Sequence, residues 1–145
     1  MNSPRVGFVT CVHPFYDLPA VVKHRDAAIQ ALERAVEISP VPLSYAYLGR
    51  ALAAAGRPER ARMILHRLLA LPPGDLTSTR PLVILHAALR EMDLAFQCLE
   101  QAFDARDSLL LALHAVAIYD PLREDPRFLP FVGRVREAMG MAQPV

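Results

Sequence analysis

Apolar side chains recur every three or four positions from about His24 to the end of the chain, and this spacing predicts a succession of amphipathic helices. A second helix is predicted to begin at Pro42 and to stop at Gly56, because proline suits a first helical turn and glycine suits a left-handed stop. Before it, a helix that ends near Pro40 turns four apolar residues inward, namely Ala28, Leu32, Ala35 and Val36.

The same pattern continues through the second half. Pro58 opens a third predicted helix, which the Pro72–Gly74 breaker ends. Caps at Thr77–Thr79, Asp93, Ser108 and Asp125 predict four more helices, which reach about Glu91, Phe103, Ile118 and Gly140. The connecting turns are short, which favours antiparallel neighbours. The predicted inner faces carry Ala61, Leu65, Leu68 and Leu69 in the third helix, and Ala95, Leu99, Ala102 and Phe103 in the fifth.

The start of the chain has a different pattern. Residues Arg5 to Val12 are apolar and rich in β-branched side chains, which predicts an extended strand. No second strand is predicted, so this one is expected to lie loose, to cover a helix surface or to pair with a second copy of the chain. We therefore expect an N-terminal extension over residues 1–23 and a helical domain over residues 24–145.

Composition narrows the class of protein. A chain of 145 residues fits one domain, and 53% hydrophobic residues suffice for a sizeable core. A formal net charge of +1 gives no strong field toward nucleic acid or a membrane surface. Cys11 and Cys98 are too far apart in sequence to indicate a disulfide framework. No targeting or membrane-spanning signal is present, so a cytoplasmic protein is expected.

The middle of the chain resembles a tetratricopeptide repeat, a helix pair of about 34 residues with small residues where the helices meet. Seven positions carry this resemblance: Tyr45, Leu48, Gly49, Leu52, Ala61, Leu65 and Pro73. The resemblance implies an all-α solenoid of antiparallel helix pairs, about two and a half repeats with a C-terminal capping helix. It also implies a scaffold that binds other proteins, and no cofactor.

The flanking units are less regular. Ala28, Leu32, Ala35 and Pro40 resemble the second helix of a preceding unit, and Leu82, Ala95, Leu99 and Ala102 keep the spacing downstream. Val83, His86 and Asp107 depart from the pattern. Residues Tyr119–Phe128 resemble the end of tetratricopeptide regions in bacterial multidomain regulators. Residues 5–35 resemble the start of fucose-isomerase-like proteins, without the parts that could complete a catalytic centre.

In this repeat family the first helix of each pair lines a concave groove. By resemblance, the groove residues are Leu43, Ala46, Tyr47, Arg50 and Ala54 in one unit and Arg80, Ile84 and Ala87 in the next. They predict an apolar trough with two arginines that could hold a carboxylate. The alternative is that these residues cover neighbouring helices or the N-terminal strand.

Few residues in the sequence indicate catalysis or metal binding. Cys11 and His13 would share one face of a strand, as a nucleophile or a partial metal site, but four ligands are needed for structural zinc and no others are spaced for it. Cys98, His86 and His114 are predicted to be packing residues. Four arginines on the third helix are predicted to form a solvated face: Arg57, Arg60, Arg62 and Arg67.

Three functions remain open at this point. The first is a non-catalytic interaction module that binds a peptide or helix of a partner in the groove. The second is a structural protein that self-associates, as a homodimer, through its N-terminal strand. The third is a small enzyme that uses Cys11 and His13.

Overall fold

The computed structural model describes residues 19–72 and 74–141, with side chains described from residue 24 onward. The first helix of the described residues begins at Pro19, inside the predicted N-terminal extension. Some sequence predictions lie outside the described residues, namely the strand over Val6–Val12, the Cys11–His13 pair and the closing Pro73.

Every regular element in the described part of the chain is helical, which confirms the all-α class. A short 3-10 helix, Ala117–Tyr119, comes directly before the helix Asp120–Arg123. The α-helices are α1 (Pro19–Ile38), α2 (Pro42–Ala54), α3 (Pro58–Leu69), α4 (Arg80–Ala88), α5 (Met92–Asp104), α6 (Leu109–Ala112), α7 (Asp120–Arg123) and α8 (Phe128–Ala138).

Helix α4 lies at the centre of the fold. It packs against α2, α5 and α3, and the 3-10 helix and α7 contact it as well. All residues from Pro81 to Ala87 are buried as a result. Such a continuous apolar run belongs to a helix that is covered on every side.

Gly49 lies where α2 approaches its neighbours most closely. A Cβ at this position would overlap Cδ2 of Leu85 in α4 and would lie 3.6 Å from Ile64 in α3. The sequence predicted that Gly49 lies at the contact between α2 and α3. The tightest approach is to α4, so glycine at this position mainly serves the packing of two first helices.

The helix stops recur along the chain. Gly56 follows α2 with a φ of 73°, and Arg90 follows α4 with a φ of 61°, 34 residues later (90 minus 56). Arg106 and Gly140 follow α5 and α8 with φ values of 53° and 66°, again 34 residues apart. In all four turns the left-handed residue donates its N–H to the carbonyl three positions earlier, and the next N–H bonds the carbonyl five positions earlier. This is the Schellman stop, and it occurs here as two pairs, the members of each pair 34 residues apart.

Helices α5 and α8 lie side by side in the same register. Arg127 pairs with Asp93, and Arg134 pairs with Glu100, both across 34 residues. The second pair is bidentate, with N–O distances of 3.0 and 2.7 Å. Because both separations are equal, the two helices run in the same direction.

Two predicted inner faces need correction. On α1, Ile29 is the buried residue, whereas Ala28 and Ala35 are exposed. On α3, Leu69 is exposed because it lies about 100° around the helix from the buried Leu68. Alanine says little about which side of a helix faces inward, so the α1 prediction rested on weak signals.

The predicted helix over residues 108–118 is broken. It forms α6, a turn with extended backbone at Val116, and then the 3-10 helix. The guanidinium of Arg123 donates to the carbonyls of Leu113 and Val116 at 3.3 and 3.2 Å. These bonds satisfy carbonyl groups that a continuous helix would use, which explains how the break is tolerated.

A buried polar pair joins α4 to the start of α5. His86 is buried and its Nδ1 donates to Oε2 of Glu91 at 2.8 Å. Arg62 of α3 lies 3.7 Å from the other oxygen of Glu91. The predicted packing role of His86 is therefore correct, with a hydrogen bond added.

Glu91→Ala is expected to lower the free energy of unfolding by about 1–3 kcal/mol, since it leaves a buried ring nitrogen without a partner. The matched control is Glu59→Ala, which removes a carboxylate that is 84% exposed from the same Arg62. This control should change stability by less than about 0.5 kcal/mol. Urea unfolding followed by circular dichroism measures both, and equal losses would contradict a structural role for the His86 bond.

Candidate interaction surface

Five of the residues predicted for the groove reach solvent. Tyr47 is 40% exposed, Arg50 and Ala54 are exposed, and Leu43 and Arg80 are half-buried. They lie on α2 and at the first turn of α4. These residues form one face of the two first helices, which we call the α2–α4 face.

The prediction was wrong for the other groove residues. Ile84 is 1% exposed and Ala87 is fully buried, as is Ala46 on α2. The physical reason is the broken segment after α6, because its 3-10 helix and α7 pack on α4. The chain thus covers part of its own predicted groove, in agreement with the alternative that these residues cover neighbouring helices.

A groove of about 430 Å³ opens beside the α2–α4 face, between the first turns of α2 and α4. Its apolar wall consists of Val41, Pro42, Leu43, Leu76 and Pro81. Its polar wall consists of Asp75, Thr77, Ser78, Arg80, Asp107 and Ser108. The lining of this groove, which we call the slot, thus combines two prolines and three aliphatic side chains with charged and hydroxyl groups.

Asp107 holds the polar wall in place. One carboxylate oxygen accepts a 2.6 Å hydrogen bond from the hydroxyl of Ser78, and the other accepts a 2.8 Å bond from the N–H of Leu109. The hydroxyl of Ser78 accepts in turn from the N–H of Arg80 at 3.1 Å. This network fixes the start of α4 and thereby the position of Arg80.

Tyr119 lies in the main core, and its 3-10 helix packs on α4. The residue is 2% exposed. Burial raises the pKa of its phenol, the positive charge of Arg80 lowers it, and Tyr47 and Asp107 raise it.

The arginines of α3 are already engaged. Arg57 pairs with Asp26 and Arg60 with Glu33, both at 2.8 Å, while Arg67 lies over the ring of Tyr45. They form links to α1 and α2 in addition to the solvated face that was predicted. By contrast, no carboxylate in the described part of the chain lies within 4.0 Å of Arg50 or Arg80.

A larger groove of about 720 Å³ lies between α5 and α8. Its charged residues pair with each other across it, and Arg127 and Arg134 also cover the faces of Phe96 and Phe103. A ligand would have to displace these contacts. In the described part of the chain, a ligand on the α2–α4 face would displace no ion pair of Arg50 or Arg80. This face is therefore the stronger candidate for a binding site.

Other candidate groups have structural surroundings. Cys98 is buried, which raises the pKa of its thiol and keeps it protonated, as expected for a packing residue. His114 is exposed in the turn after α6, so its predicted packing role was wrong. Within the described ranges, no cluster of three His, Cys, Asp or Glu side chains is suited to hold a metal ion. Nor does any helix there combine the length and apolar character needed to cross a membrane.

Comparisons with protein-family models, with curated proteins and with solved structures found no match to this chain. The site is therefore interpreted from its geometry. Sequence reasoning identified Leu43, Tyr47, Arg50 and Arg80 on the exposed face. It missed Asp107, whose hydrogen bond with Ser78 joins positions 29 residues apart that no local spacing relates.

Proposed function

We propose that this chain is a tetratricopeptide-type repeat protein that acts as a non-catalytic interaction module, binding an extended peptide or a helix of a partner protein on its α2–α4 face. The observation that carries the proposal is the Schellman stop that recurs with a 34-residue shift. A repeat of that length is the period of tetratricopeptide helix pairs.

The packing supports the same assignment. Helices α2 and α3 form one pair and α4 and α5 the next, and the second helices of these pairs begin at Pro58 and Met92, also 34 residues apart. Helix α1 takes the place of the second helix of a preceding unit. The broken segment and α8 take the place of a third pair, in which α8 is the capping helix.

The surface chemistry favours binding of a protein partner. Tyrosine and arginine are the residues that most often dominate the energy of protein interfaces. Tyr47, Arg50 and Arg80 combine both types on one face beside an apolar slot. An apolar side chain of the partner would occupy the slot, and an acidic group would pair with the arginines.

Selection of a random 12-residue peptide library displayed on phage against the immobilised full chain tests this function. Peptides enriched on the chain are expected to bind the Arg50→Ala/Arg80→Ala variant at least about tenfold more weakly, since each arginine lost removes charge-assisted hydrogen bonds.

The control is Arg34→Ala/Arg106→Ala, which removes two exposed arginines that do not line the slot. Its affinity for the same peptides should be unchanged. Enrichment of no peptide, or equal binding to both double variants, would contradict the proposed face.

A further inference from the structure

Helix α1 has a second apolar side, and this side is exposed. Six exposed residues share a sector of about 100° roughly opposite the buried Ile29, since each residue turns the helix by about 100°. They are His24, Ala27, Ala28, Ala31, Ala35 and Ile38, with no acidic residue, lysine or arginine among them. Ile38 is 84% exposed. We call the last five of these residues the outer face of α1.

A helix with apolar residues on opposite sides is typical of one that is covered on both. One side of α1 is covered already, because Ile29 belongs to a buried cluster with Leu48 and Leu52 of α2. The exposed sides of α3 and α5 are different, since they carry charged residues: Glu59, Arg60, Asp93, Glu100 and Asp104. The outer face of α1 therefore has the composition of a packing surface.

The 34-residue register indicates what would cover this face. Ala27 lies 34 residues before Ala61 of α3 (61 minus 27), and Ala31 lies 34 residues before Leu65. Ala61 is 0% exposed and Leu65 is 4% exposed, and α3 packs against α2, the helix directly before it. The next equivalent residues, in α5, are also buried: Ala95 and Leu99. By this register, the segment directly before α1 is the one that would cover its outer face.

The sequence before α1 suits this role. Residues Val6–Val12 form an uncharged and mainly apolar run, and residues 13–18 join it to Pro19, where α1 begins. Both segments lie outside the described residues. The sequence alone leaves three places open for the run: loose, on a helix surface or against a second copy of the chain. An exposed apolar side on the adjoining helix favours the helix surface.

The lengths of the run and of the outer face agree. Seven residues in extended conformation span about 23 Å, and the distance along the helix axis from Ala27 to Ile38 is about 17 Å. The six residues between Val12 and Pro19 can bridge about 20 Å, whereas Ala27 lies about 12 Å along α1 from Pro19. The run can therefore turn back and lie along α1.

We infer that the segment Val6–Val12 docks along the outer face of α1, in the place that the register gives to the first helix of a preceding pair. Alternate side chains of an extended run share a side, so Val6, Phe8 and Val12 point together. These bulky side chains fill the space above the small alanines of the face. The docking concerns a surface other than the α2–α4 face, so it does not depend on peptide binding there.

The test measures the rate at which thiols of the full chain react with iodoacetamide, with each site read separately by mass spectrometry of its peptide. Ala31→Cys places a thiol in the outer face of α1. Gln30→Cys places one on a neighbouring exposed side of the same helix. The thiol of Cys98 is buried in the core, so its slow reaction reports that each variant is folded.

The thiol at position 31 is expected to react about tenfold more slowly than the thiol at position 30, the fold-change that corresponds to burial of one large apolar side chain. Phe8→Asp/Val12→Asp should remove this difference, because unpaired carboxylates cannot enter an apolar contact. The matched control is Val9→Asp/Cys11→Asp, which adds the same charge to the opposite side of the run. It should leave the difference intact.

Equal rates at positions 30 and 31, or slow reaction at position 31 that survives Phe8→Asp/Val12→Asp, would overturn the docking. Protection that disappears on dilution, together with a doubled mass in light scattering, would assign the face to a second copy of the chain instead. If the double variant exposes Cys98, Phe8→Ser takes its place and should speed the reaction at position 31 by about threefold or more. An unchanged rate in that variant would count equally against the docking.

Discussion

Tyr119→Ala is expected to lower the free energy of unfolding by about 3–5 kcal/mol, because it removes a large buried side chain. Tyr119 is 2% exposed and joins the core that α4, α5 and α8 share. Truncation leaves a cavity under α4 and removes the contact that holds the 3-10 helix in place. Urea unfolding monitored by circular dichroism gives the value.

Tyr119→Phe is the matched control. It keeps the ring and removes only a hydroxyl that has no bonding partner in the described chain, so stability should change by less than about 0.5 kcal/mol. A loss above about 1 kcal/mol would mean that the fold uses this hydroxyl.

Gly49→Ala is expected to lower the free energy of unfolding by about 1–3 kcal/mol, although alanine is the better helix former by about 1 kcal/mol. The added Cβ overlaps the side chain of Leu85, which is fully buried and cannot move into open space. The overlap of a methyl group with a packed core therefore outweighs the gain in helix propensity.

Gly133→Ala provides the control for helix propensity. Gly133 lies inside α8 and no atom lies within 4 Å of the place where its Cβ would be. This substitution should stabilise the chain by about 0.5–1 kcal/mol. A stabilising Gly49→Ala would show that α2 and α4 are not in close contact.

A double-mutant cycle locates the overlap. Leu85→Ala alone should cost about 2–5 kcal/mol, because it empties a fully buried position. Combined with Gly49→Ala, the total loss should be smaller than the sum of the two by at least about 0.5 kcal/mol, since each change makes room for the other. Additive losses would place the effect of Gly49 elsewhere.

The helix boundaries near α2 and α3 were predictable because their signals are local. Pro42 and Pro58 begin helices, and Gly56 takes the left-handed conformation that ends one. These preferences arise from the ring of proline and the missing side chain of glycine, so they act within a few residues of the chain.

The site was predictable only in part. The repeat pattern predicted that Tyr47 and Arg50 lie on the same exposed face of α2, because the helical period decides which side chains share a face. Ile84 and Ala87 were assigned to the surface by the same rule, but the structure buries both. Their burial depends on a segment some 30 residues further along, whose position no local spacing describes.

The recurrence of apolar residues every three or four positions determined that this chain forms helices, and its prolines and glycines determined where several of them begin and end. The tertiary structure decided which of the predicted inner-face residues are buried, where the segment after α6 breaks, and that this segment packs on α4. The physical reason is the distance along the chain over which each kind of interaction acts. Backbone preferences act between neighbours in sequence, whereas burial depends on which distant surfaces exclude water together.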